Sequence, residues 1–511
     1  MTYQSTLSVG STGCGKTQHQ LVEILRAALE KEYAIVVLDG KGSLAFQAAG
    51  QLIAYGQERR IIYDELPSRD GRALAWDFLP GVEEHDPFAA SVAKEVVREE
   101  FKQLWLAKKG LVSDEDKGFT REVMDLAVGV MLNQRPRKPL PWVHSVFLPK
   151  SERFQVLAAE CTDEGLKRQL LESARSYMRM PTQYEQWVGA ARRMLEGAKS
   201  SVVQTRCQPD PGAGIEWTRA LEEKRIVLFN GAGLPVTTVR TVFLSAALQV
   251  VNACRRYYAK NRKPLRALLI LEECGAYRLA APFILVALQE LREAGLAVRL
   301  MTQSTLDFES DALEKILTNT PGGHYWFKLF SEKDQERGAG DLANPTFNPL
   351  EVHYTRKRLV HDGMEEYHHT VTGKSKDKHE KTIRVDERDA VNFLPKYREE
   401  VEEYYKTPQL HKQEFMTDVA NLRVGEYFVR DMQGVRKVQG KMLEAAWPFG
   451  LAEKRTLEAL SRIRSQSIYQ PARLLDIPPT PAPAQAPPPP AAGETGTAKL
   501  RRRATRKSKS T

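Results

Sequence analysis

Gly10-Ser11-Thr12-Gly13-Cys14-Gly15-Lys16-Thr17 decides the fold of this 511-residue chain. The octet satisfies GxxxxGK[ST] without mismatch, directly after an apolar run, Ser5–Val9, that reads as a strand and before a helical run, Gln20–Lys31. Glycines let successive backbone N–H groups curl around anionic oxygens, and the helix N-terminus adds the positive end of its dipole. Lys16 is placed to reach the β- and γ-phosphates and the Thr17 hydroxyl to ligate Mg2+. The reading is a nucleotide-binding loop for ATP with Mg2+; no NKxD base-reading motif of the GTPase kind occurs.

Working outward, short aliphatic runs alternate with helical stretches, the pattern of βα units around a parallel sheet covered on both faces. The predicted strands are Ser5–Val9, Ala34–Leu38, Ile61–Asp64, Ile226–Asn230, Ala267–Leu271, Val298–Thr302 and Tyr325–Leu329. A phosphate loop needs an acidic partner at the end of a hydrophobic strand, and Leu268-Leu269-Ile270-Leu271-Glu272-Glu273 supplies it. Glu272 is expected to hold Mg2+ through water and Glu273 to polarise the attacking water as general base. Asp39-Gly40-Lys41-Gly42-Ser43-Leu44 follows the second strand, where an open α/β sheet builds its ligand crevice, so Asp39 and Lys41 join the candidate nucleotide site.

These pieces, in this order, resemble the HerA/FtsK superfamily of P-loop motor ATPases, and within it the TraG/TraD-type conjugative coupling proteins of type IV secretion. The P-loop matches the GxTGxGKT form, and Asp39–Leu44 is similar to the family's D-x-K-G segment. Arg72–Leu79 looks like the short strand that follows there. Leu291-Arg292-Glu293-Ala294-Gly295-Leu296 with Thr302-Gln303-Ser304 looks like its arginine-bearing helix end and Q-S strand end, and Leu422–Val429 like a late family segment.

The resemblance implies a homo-hexameric ring with ATP at subunit interfaces and DNA in the central channel. It makes Arg292 a finger entering the neighbour's site and Gln303 a γ-phosphate sensor. The implied activity is ATP-driven DNA translocation in conjugative transfer, with a relaxase or type IV secretion components as partners. Two rival readings stand beside it: a HerA-like motor in repair or phage defence, and an ATP-switched recruitment adaptor with weak turnover.

The expected fold class is α/β: a RecA-like P-loop ATPase domain with a mainly parallel sheet, an inserted all-α subdomain and a disordered C-terminal tail. The boundaries are residues 1–86 and 201–350 for the discontinuous ATPase domain and 87–200 for the helical insert. Residues 351–384 read as an exposed polar β excursion turning at His361-Asp362-Gly363, and 385–470 as the C-terminal part of the ATPase domain, with Glu399–Glu403 on a helix surface. Residues 471–511 form the Pro-rich and basic tail.

Composition bounds the rest. The five cysteines, Cys14, Cys161, Cys207, Cys254 and Cys274, are scattered without zinc-ligand spacing and read as reduced thiols. No window offers the ~18 uninterrupted apolar residues of a membrane span. A cytoplasmic chain with no direct membrane span is expected, recruited to the inner membrane only by a partner. The net charge of +10 is concentrated at the end: residues 490–511 carry seven Lys and Arg against Glu494, a difference of +6, so the tail is expected to hold DNA or an acidic partner through salt-sensitive contacts.

Overall fold

Every aliphatic run read as a strand is one. The computed structural model describes residues 3–78, 114–210, 212–277, 282–308, 310–376, 383–440, 443 and 451–472. Its centre is a nine-stranded sheet ordered β12-β11-β8-β1-β7-β6-β2-β5-β3. The strands are β1 (Thr6–Val9), β2 (Ala34–Asp39), β3 (Ile61–Glu65), β5 (Ile226–Asn230), β6 (Ala267–Leu271), β7 (Leu296–Thr302), β8 (His324–Phe327), β11 (Glu426–Asp431) and β12 (Gly434–Gln439). The seven from β8 to β3 run parallel, and β11 and β12 add an antiparallel edge.

β2, β6 and β7 are buried along their whole length, as aliphatic strands sandwiched between helical layers must be. The helix Val236–Asn261 is long and apolar enough to cross a membrane, but 83% of its most apolar window is buried against the sheet and its helices. It is a core helix. A short strand β4 (Arg72–Leu74) pairs antiparallel with β13 (Tyr469–Pro471), and Ala472 N–H donates to Gly71 O at 2.8 Å. The ordered fold therefore runs through the residues first assigned to the start of the tail; residues 473–511 lie outside the described residues.

Between Asp114 and Gln204 the described chain is helical, with Asp114–Leu132, Glu152–Glu160, Glu164–Arg179 and Pro181–Met194 as its main helices and only an isolated bridge, Gln134 to Cys161, of β character. Arg206, just beyond, ties this region to the sheet. It is fully buried, donates to both carboxylate oxygens of Asp64 on β3 at 2.8 and 3.2 Å, and reaches Glu65 O and Ser68 Oγ as well.

Three expectations are corrected in the excursion. β9 (Val352–Lys376) and β10 (Ile383–Tyr405) form one long antiparallel ribbon, so the excursion extends to 405 and takes residues 385–405 from the segment assigned to the ATPase domain. His361-Asp362-Gly363 is not its turn. The ladder passes from Tyr397↔His361 to Pro395↔Met364, so two residues oppose one, and Gly363 with φ 97° supplies the left-handed residue such a bulge requires. Glu399–Glu403 lies on β10 rather than a helix, because basic residues of β9 sit across from it: Lys357 pairs with Glu399 at 3.0 Å and Arg358 with Glu402 at 3.7 Å.

Candidate nucleotide site

Four adjacent strands, β1, β7, β6 and β2, deliver the site in spatial order at their carboxyl ends. The loop Gly10–Thr17 leaves β1 and is pinned at its base by Gly10 N–H to Thr302 O and Ser11 N–H to Lys328 O. Gly10 is obligatory, since a Cβ there would lie 2.5 Å from Phe327 Cβ. Gly15 caps the helix Lys16–Glu30 with φ 106°, no side chain caps it, and no acidic residue lies in its first turn. The first-turn N–H groups of such a helix have no intrahelical acceptor. Exposed Gly13, with nothing within 4 Å of where a Cβ would stand, opens the same face. Thr12 is exposed and Ser11 half-buried beside it, while Cys14 is buried with Sγ against the Lys16 amine.

Lys16 is buried, and its ammonium donates to Gly10 O and to Ser11 O, the latter at 3.0 Å. Burial holds its pKa below the ordinary lysine value. A cationic amine folded on carbonyls of its own loop, beside uncapped helix donors, fits a polyphosphate. The half-buried hydroxyl residue Thr17 in the same turn fits its Mg2+.

Glu273 follows β6 in left-handed backbone, φ 52°, a conformation costing a non-glycine residue about 1–2 kcal/mol. Its Oε1 accepts Gln303 Nε2 at 2.9 Å and Lys41 Nζ at 2.8 Å. The sheet thus brings together three residues that lie far apart in the sequence. Glu272 is buried, and burial first, then the hydrogen bond with Asp39 and its charge, push its pKa up to about 10. Glu272 Oε2 is buried without a hydrogen-bond partner, and a dication beside Thr17 would favour the carboxylate.

Asp39 itself is fully buried and organises the turn: Oδ1 accepts the N–H of Lys41 and Gly42, and Oδ2 that of Ala45. Its carboxylate is spent on its own turn, and Lys41 carries the charge to Glu273. Arg292 is not brought to these residues. It is exposed and lines a cavity with Tyr3, Tyr33, Pro264 and Arg266, which precede β1, β2 and β6, so it lies at the opposite end of the strands from its own P-loop.

Two contributors were not singled out as site residues from the sequence. Gly425, with φ 85°, donates its N–H to Cys14 O at 3.0 Å, and its backbone lies 3.0 Å from where a Gly15 Cβ would stand. Asp334 accepts Ser304 Oγ at 2.7 Å and Thr305 N–H at 2.9 Å, fixing the segment just after Gln303 to the helix Glu332–Ala343. The family-like run Leu422–Val429 pointed towards Gly425; nothing local marks Asp334.

No family model and no curated protein matches the chain. Among solved structures it is similar to the bacterial conjugative coupling protein TrwBdeltaN70 in its unbound monoclinic form, at 16% identity over 87% of this chain and 86% of that one, with a TM-score of 0.49. It is similar to the plasmid coupling protein TrwB in complex with ADP and Mg2+ at 15% identity, 86% of each chain and a TM-score of 0.47. VirB4 of Thermoanaerobacter pseudethanolicus gives 12% identity, 88% and 91% coverage and a TM-score of 0.44.

Proposed function

We propose that this chain is an ATP-driven motor that moves DNA or a nucleoprotein substrate, of the conjugative coupling kind, working as a homo-hexameric ring. One observation carries the reading: Glu273, Gln303 and Lys41 converge on one carboxylate oxygen at the carboxyl edge of the sheet that also bears the P-loop. A site built only to hold nucleotide has no need of a carboxylate positioned by two donors from neighbouring strands. A hydrolytic site does, because a general base must be oriented towards its water.

In this mechanism the loop amides and Lys16 bind and orient the phosphates, and Thr17 and Glu272 would hold Mg2+, which would offset phosphate charge when bound. Glu273 takes the proton of the attacking water. Gln303 joins that base to the Ser304–Asp334 segment, so a change at the γ-phosphate position reaches the helix Glu332–Ala343. Arg292, at the far end of its own strands, serves a neighbouring subunit's site.

The test is ATP turnover with and without single- and double-stranded DNA. DNA-stimulated turnover that Glu273→Gln abolishes supports the motor. Nucleotide-dependent partner binding without DNA stimulation replaces it with the adaptor reading. Mixing Arg292→Ala with Lys16→Ala subunits should restore turnover at hybrid sites if the arginine acts in trans; two inactive variants that stay inactive together remove that role.

A further inference from the structure

The β9–β10 ribbon has no role in the chemistry above, yet it is the most exposed element of the described fold. At about 3.3 Å per residue, the 25 residues of β9 give a ribbon about 80 Å long. Across 352–371 and 391–405 no side chain is buried; Leu359, Met364, Tyr367, Phe393, Leu394 and Tyr397 are all more than half exposed. A two-stranded ribbon alone is marginally stable in water, and each outer edge offers a row of unpaired N–H and C=O groups. Such an element calls for a strand on each side.

Charge identifies the strand. β9 carries five Lys and Arg against three Asp and Glu, a net +2, whereas β10 carries four against seven, a net −3. The asymmetry is sharpest at the root, where Arg356-Lys357-Arg358 lies on one strand and Glu399, Glu400, Glu402 and Glu403 on the other. The whole span 352–405 has 11 basic and 12 acidic residues, a net −1, which does not suit a polyanion. A second copy of the same ribbon does suit it. When copies rotate about an axis along the ribbons, β9 of one meets β10 of the next antiparallel, with the ladder already used within the hairpin and basic edge against acidic edge.

We propose that the β9–β10 ribbons of neighbouring copies pair edge to edge, β9 to β10, and form a continuous antiparallel collar that holds the assembly together. The inference rests on the ring assembly proposed above and names the surface that closes it. A head-to-tail contact of this kind leaves no edge open once the ring is complete.

The test uses the full chain. All five native cysteines are buried, so introduced ones react selectively. Thr355→Cys on β9 and Glu403→Cys on β10, made in separate chains, should form a disulfide-linked dimer under mild oxidation when mixed, and little when either is oxidised alone. Equal crosslinking of the single variants, or none in the mixture, overturns the proposal. Lys406 N–H donates to Glu351 O at 2.9 Å, so an Asn-Gly turn can replace 352–405. That variant should bind ATP with affinity within about twofold of the full chain while losing assembly by mass photometry. Unchanged assembly with lost DNA retention instead makes the ribbon a nucleic-acid arm and also overturns it. Crosslinked ribbons without ATP turnover would remove the motor and leave the collar; turnover without crosslinking does the reverse.

Discussion

Gln303 Nε2 donates to Glu273 Oε1 at 2.9 Å, although 30 residues separate them, because β6 and β7 are neighbours and each releases its residue at the same edge. Lys41 reaches the same oxygen, so in the proposed mechanism proton uptake falls to Oε2. Glu273→Gln is expected to lower kcat by about 10²–10⁴-fold, the range for a general base, with KM within about twofold. Gln303→Ala, which unpins the base without removing it, should lower kcat by about 10–100-fold on the same scale. The double variant should be no slower than Glu273→Gln alone, since both act through one carboxylate. Steady-state kinetics on the four proteins decides it: losses that multiply mean the two residues act independently.

Gly425 holds the P-loop from outside the P-loop. Its left-handed φ of 85° disfavours any side chain by about 1–2 kcal/mol, and its N–H is committed to Cys14 O. Gly425→Ala is therefore expected to weaken ATP binding about 5–30-fold, the equivalent of that strain, if the loop shifts to relieve it. Titration with a fluorescent nucleotide measures this. Affinity equal to that of the parent chain would mean the hairpin β11–β12 adjusts and the loop is indifferent to it.

The parts of the candidate site that are built locally were legible. A P-loop is read from contiguous residues because its chemistry is backbone amides at the start of one helix, and Glu272-Glu273 declared itself by ending an aliphatic strand. What sequence could not supply was strand order. Gln303 meets Glu273 only because β7 lies between β1 and β6, and Asp39 turns out to be a buried turn-former because Ala45 N–H curls back upon it. The ribbon was misread for a physical reason too. His-Asp-Gly is a turn signal in isolation, but a left-handed glycine serves a bulge equally well, and a Glu-rich run reads as a helix face until its basic partners are found across a ladder.

Asp64 and Arg206 show how much one such long-range pair carries. Both side chains are fully buried, and the guanidinium meets two carboxylate oxygens, two backbone carbonyls and the hydroxyls of Ser68 and Thr205. Removing one partner leaves the other charge buried and unpaired, a loss of about 3–5 kcal/mol. Arg206→Ala should therefore melt many degrees below the parent chain. Replacing both with apolar residues, Asp64→Leu with Arg206→Met, should recover part of the loss, because no lone charge remains. If the double variant is less stable than Arg206→Ala, the pair does more than neutralise its own burial.

His144 gives the helical region a pH dependence with a defined sign. Its Nε2 lies 2.8 Å from Leu195 O, an atom that can only accept, so this nitrogen carries the proton; Nδ1 is buried without a partner. Burial, helped by the charge of Lys199, lowers the pKa from 6.5 to about 3. Above pH 6.5 the ring is neutral folded or unfolded, and its contribution to stability is whole. As pH falls below 6.5 the unfolded chain binds a proton that the folded one refuses, so stability is lost at about 1.4 kcal/mol per pH unit until the folded pKa is reached. Between pH 7.5 and pH 5.0 the parent chain should lose about 2 kcal/mol more than His144→Gln, whose amide can still donate to Leu195 O but does not titrate. Denaturant unfolding of the two proteins at the two pH values isolates this difference, because every other titrating group is common to both. Equal losses would mean that the imidazole takes up its proton while folded, and that water reaches Nδ1.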